Sequence, residues 1–150
     1  MATIDDLKKV LEMEVELAEA LGKSIAKEHQ AIIAFDGDAL MTCTGHEEEL
    51  IRALGSIEQE RVRCSKEIFT APAGSGQLDS PTLEDAAGLL GSRDASAVAA
   101  LHSRLRTAAR NVLDLNMQNR TLLQHSLNFV RETLRIITSG HTRQIVDQKM

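Results

Sequence analysis

The sequence predicts an all-α fold: an antiparallel helical hairpin plus a long third helix, packed as a coiled-coil-like bundle. Three observations predict it. Apolar residues recur at three- and four-residue spacing over long stretches. Only two Pro and nine Gly interrupt 150 residues, so helices can run long. The aromatic share is 2%, confined to Phe35, Phe69 and Phe129, so the core must be built from Leu, Ile, Val and Ala, which suits helix-on-helix packing better than a sheet. A chain of this length makes one domain with one sizeable core.

Thr3 followed by Asp6 resembles a capping box, and Ile4, Leu7, Leu11, Val15, Ala18, Leu21, Ile25 and Ile32 then mark one helix face as far as about Phe35. The DGD at 36–38 breaks the pattern, with Gly37 permitting the turn and Asp36 or Asp38 capping the next helix. Leu40, Leu50, Leu54, Ile57, Val62 and Ile68 carry that second helix toward Thr70, weakened at Gly45 and Gly55. So short a turn makes the two helices antiparallel neighbours. Residues 71–80 read as a linker rich in Gly, Ser, Pro and Asp, and 81–90 as a short helix opened by Ser80-Pro81 and closed by Gly91. Ser92 or Asp94 caps the last helix, which ends before Ser139-Gly140, and 141–150 form a flexible tail to the 1–140 domain. The third helix, Asp94 to Thr138, is about 67 Å long and the first about 48 Å, so the third should overhang the hairpin by several turns.

Composition excludes several function classes. No apolar run approaches the roughly 18 residues a membrane span needs, and MATIDDLKKV carries acids where a signal peptide needs an unbroken apolar stretch. The reading is a cytoplasmic protein without membrane insertion. A net charge of −5 argues against nucleic acid. Charge is uneven: residues 1–70 hold 8 cations against 15 acids, whereas 94–143 hold 7 cations, all Arg, against 3 acids. The simplest account is a basic third helix steered onto an acidic hairpin in the same molecule, and the alternative is binding to an acidic partner. Cys43 and Cys64 on one helix are about 32 Å apart, beyond a disulfide.

No catalytic or cofactor pattern emerges. Cys43 and His46 stand at i, i+3, but no third metal ligand is near in sequence. The residues three before His29, His46, His102, His125 and His141 are Ala26, Cys43, Ala99, Leu122 and Thr138, none of them the Glu that a di-iron bundle uses. None of these histidines sits in a His-x-x-Lys-Gly setting. Neither a phosphate loop nor a nucleophile elbow is present. The expectation is a binding protein, not an enzyme, with no cofactor and no metal.

The third helix carries two seven-residue apolar series, Leu115, Leu122, Phe129, Ile136 and Asn116, Leu123, Val130, Ile137, with Asn119 between them. Two seams on one helix imply two neighbours, and the overhanging part has nothing in the hairpin to cover it.

LEMEVELAEALGKSIAKEHQAIIAFDGDAL at 11–40 and LNMQNRTLLQHSLNFVRETL at 115–134 resemble the flagellar export chaperones of the FlgN type, most specifically in GDAL after the first helix and in Asn116, Asn119, Leu122, Leu123, Ser126 and Leu127. The resemblance implies a cytoplasmic chaperone that binds hook-filament junction subunits and delivers them to the flagellar export apparatus. Its last helix would receive the client through Leu115, Asn116, Asn119, Leu122, Leu123, Ser126, Phe129 and Ile136. Family members commonly have an aromatic residue in the C-terminal tail, which here reads RQIVDQKM, so no docking role carries over to this tail. Two alternatives stay open: a structural coiled-coil homodimer closed by the second seam, and a histidine phosphotransfer bundle.

Overall fold

A computed structural model describes residues 1–69 and 91–147, the stretch 141–147 as backbone only. It holds three helices: α1 (Ile4–Ile33), α2 (Gly37–Phe69) and α3 (Ser92–Asp147). The linker and short helix expected at 71–90 lie outside the described residues.

α1 begins where the sequence places it. The Thr3 hydroxyl accepts from the Asp6 N–H, and the Asp6 carboxylate accepts from the Thr3 N–H, closing a capping box. Asp5 and Asp6 add negative charge at the positive end of the helix dipole. At the other end the Asp36 N–H reaches the Ala31 carbonyl at 3.0 Å and the Phe35 N–H reaches that of Ile32 at 3.2 Å, the paired bonds of a Schellman turn. The left-handed residue of this turn is Phe35, with φ 52°, and not Gly37. Gly37 is already helical, and Asp36 caps α2 by accepting from the Ala39 N–H at 3.0 Å. The α1 helix therefore stops at Ile33, two residues short of the expected end, because the reversal needs three residues.

α1 is the centre of the molecule. It runs antiparallel to α2, with the Ala2 N–H on Glu67 near one end and Leu50 packed with Ile25 near the other. It runs parallel to α3, with Lys8 on Asp94 and His29 on Asn119. α2 and α3 barely meet. The core forms two apolar clusters. Leu7, Val10, Leu11, Cys64 and Val98 fill the end where α3 starts, and Leu21, Ile25 and Leu50 fill the end near the turn, with Val112 and Leu115 against them. Between the clusters lies a part-buried ion pair, Glu14 to Arg61 at 2.9 Å. Burial pushes the Glu14 carboxyl up and the Arg61 guanidinium pulls it back, burial being the larger effect.

Three expectations for α3 need correction. It does not end before Ser139-Gly140 but continues to Asp147, since a lone Gly in an exposed helix costs only about 1 kcal/mol and does not force a stop. Neither Ser92 nor Asp94 caps it: the Gly91 carbonyl already accepts from the Ala95 N–H, and Asp94 turns to Lys8 at 2.6 Å. The arginines of α3 are not seated on the acidic hairpin. Among the described residues Arg104 alone of them reaches it, on Glu19 at 2.9 Å, while Arg135 pairs with Glu132 of its own helix.

Candidate binding surface

From Val98 to Ser126, the residues of α3 at alternating three- and four-residue steps are buried or half-buried against α1. This is a heptad seam. α1 approaches α3 closely at Gly22, where an added Cβ would stand 3.0 Å from the Asn111 side-chain nitrogen. Asn119, 1% exposed, is the fully buried polar member of the seam. Its Nδ2 donates to the Ile25 carbonyl at 3.0 Å. A carbonyl can only accept, so the amide orientation is settled and Oδ1 is the atom that faces His29 Nδ1 at 2.7 Å. Nδ1 therefore carries the hydrogen, and the amide is satisfied on both sides.

Beyond Ser126 the same positions continue as Phe129, Thr133 and Ile136, but α1 has stopped at Ile33. Phe129 is 65% and Ile136 62% exposed. Thr133 donates its hydroxyl to the Phe129 carbonyl at 2.9 Å, so this position presents its methyl without an unmet polar demand. A second exposed row, Leu127, Val130, Leu134 and Ile137, runs beside the first. The hairpin tip adds Ile33, Phe35 and Met41, all exposed. Where α3 leaves the tip, Ile32, Phe35, Leu40, Leu123 and Ser126 line an almost wholly apolar cleft of about 220 Å³. Exposed apolar side chains gathered on one part of a molecule are the kind of feature that accompanies docking sites.

The predicted site residues divide accordingly. Phe129, Ile136 and Leu123 lie on the open surface, and Asn116 is exposed beside a second cleft shared with Met117 and Arg120. Leu122 and Ser126 are half-buried where the hairpin ends. Leu115 and Asn119 do not belong to an open surface: Leu115 packs on the core near Leu21 and Ile25, and Asn119 is enclosed against α1. Of the two series in the sequence reading, Leu115 and Leu122 of the first belong to the seam with Asn119, whereas Asn116, Leu123 and Val130 of the second are exposed beside it. Val130, in the second series, is 45% exposed. Sequence reasoning missed Phe35 and Met41, since only the parallel alignment of α1 with α3 brings the hairpin tip beside Leu123.

Electrostatics separate the two parts of the molecule. Arg106, Arg110, Arg120 and Arg131 form no ion pair among the described residues. On the hairpin, Glu47 of α2 leaves one carboxylate oxygen buried without a hydrogen-bond partner. Burial first, and the Glu28 carboxyl of α1 second, push its pKa up to about 8. Burial likewise pushes the Cys64 thiol up. Among the described residues no three His, Cys, Asp or Glu side chains converge as metal ligands, and no helix is long and apolar enough to cross a membrane.

Comparison with curated proteins and with solved structures finds no match. The FlgN protein family, by contrast, matches residues 1–146, nearly the entire chain. A long helix with an uncovered apolar face, standing beyond its own hairpin, is an arrangement suited to holding another protein's segment, and with that match the chain belongs to the FlgN family of flagellar export chaperones.

Proposed function

We propose that the chain is a cytoplasmic chaperone that holds hook-filament junction subunits in an export-competent state and passes them to the flagellar export apparatus. The single observation behind this reading is the exposed row Phe129, Thr133, Ile136, which continues the seam that α1 occupies up to Ile33. An amphipathic client helix fits there as a continuation of α1, its apolar face on the overhang and one end in the cleft beside Phe35. Ordering such a segment costs part of the interaction energy, which keeps the complex releasable. The test is capture of purified junction subunits by the full chain and by Ile136→Asp. Capture should fail with Ile136→Asp while helical circular dichroism stays at the wild-type level, and undiminished capture overturns the reading.

The same uncovered row favours a second reading, a homodimer in which another copy lies on the overhang. Mass measurement in solution decides between them, since the chaperone reading leaves the free overhang open.

A further inference from the structure

We infer that the helix received by the overhang is acidic along one edge, and that the arginines of α3 select for that edge and set how the helix is rotated in the groove. This rests on the chaperone reading of the same surface. Projected at about 100° per residue with Leu101 at zero, the exposed apolar rows of the overhang cover an arc from about 260° through zero to about 80°. Arg120, Arg131 and Arg135 lie at about 100° to 160°, directly beside one edge of that arc. Between residues 127 and 140 the opposite edge carries Glu132 and no Lys or Arg.

Arg120 and Arg131 have no ion-pair partner among the described residues, although Glu28 lines the same cleft as Arg120. Arg135 is held by Glu132 in an exposed pair that exchanges readily with solvent or another carboxylate. A helix with Asp or Glu along one flank would meet these guanidiniums as its apolar face closes on Phe129 and Ile136. A helix with cations there would leave two or three like charges facing each other at the rim of a desolvated surface. The rest of the molecule sharpens the choice. Residues 1–70 hold 15 acids against 8 cations, so an acidic-edged helix is repelled by the hairpin and drawn to α3, whereas a basic one is drawn to the wrong end.

The test uses two labelled peptides of about 20 residues, long enough to cover the overhang, with one shared Leu/Ile face and either Glu or Lys along one flank. Binding to the full chain is read by fluorescence anisotropy. The Glu peptide should bind about tenfold more tightly at low salt, as a few rim pairs allow, and the gap should close toward about 1 M salt. The double variant Arg120→Glu, Arg131→Glu should reverse the preference, and Phe129→Asp should abolish binding of both peptides. Equal affinities, or a preference unchanged in the double variant, overturn the inference and leave the chaperone reading standing. Binding of neither peptide overturns both. A preference that survives Phe129→Asp places the selection elsewhere and also overturns the inference. So does a dimer of the free chain that the double variant dissolves, because the arginines would then serve a second copy.

Discussion

Asn119 of α3 donates to the carbonyl of Ile25, a group already inside the α1 helix. The bond adds nothing that α1 needs for its own ladder. What it fixes is the axial position of one helix on the other, because a shift by one residue would leave a buried amide facing apolar groups. The same residue holds His29, so the two side chains form one unit.

Replacing His29 by Leu should cost about 1–3 kcal/mol, since it strands the buried Oδ1 of Asn119. The double variant His29→Leu, Asn119→Leu should recover most of that loss. Urea unfolding of the two single variants and the double variant measures the coupling. Simple additivity of the two single effects would mean that the 2.7 Å contact contributes nothing.

Stability should fall as pH rises from about 4.5 to about 8 through Glu47. Its folded pKa lies above the ordinary carboxylate value, so across that interval the folded chain keeps a proton that the unfolded chain has released. The loss is complete above pH 8 and absent below 4.5. Glu47→Gln cannot ionise, so it should flatten the slope and raise the melting temperature at pH 8. Thermal melts at several pH values check this, and an unchanged slope in the variant would refute it.

Charge on the overhang should be tolerated by the fold, and charge on the covered part of α3 should not. Phe129→Asp and Val130→Asp both place the carboxylate in water and should leave the thermal midpoint within a few degrees of wild type. Leu115→Asp puts it against Leu21 and Ile25 and should cost several kcal/mol. Circular dichroism melts of the three variants separate open surface from core. Destabilisation by Val130→Asp equal to that by Leu115→Asp would show that the second row is covered.

Phe35→Gly should stabilise the chain by about 1 kcal/mol, raising the melting temperature by several degrees. Phe35 is 73% exposed and holds a left-handed φ that glycine adopts freely, so little packing is lost and strain is relieved. Gly37→Ala, with open space around the new methyl and helical backbone, should do no harm. If the second variant destabilises and the first does not, the turn has been assigned to the wrong residue.

Much of this architecture is legible in the sequence because it is written in short-range chemistry. The box at Thr3 and Asp6 and the apolar period of α1 each involve residues within a turn or two of one another. The alignment of α1 with α3 is not local. Leu115 and Phe129 occupy the same heptad position, and only the place where α1 stops makes one core and the other surface. Phe35 escaped notice for a related reason: a left-handed Phe is uncommon enough that Gly37, two residues on, drew the assignment of the turn.

The parallel run of α1 and α3 also sets an order of events in time. Lys8 is 86 residues from Asp94 and Ile25 is 94 from Asn119, whereas contacts within the hairpin shorten steadily toward the turn at Phe35. Chain closure is easiest for short loops, so α1 and α2 zip together first from the tip while α3 is still a long reach away. On a ribosome that order is imposed outright, because α3 emerges after the hairpin is complete. The nascent hairpin must therefore carry the α3-facing side of α1 uncovered for as long as synthesis of the remaining residues takes. Throughout that interval it presents, on α1, the complement of the seam that α3 later continues past the tip.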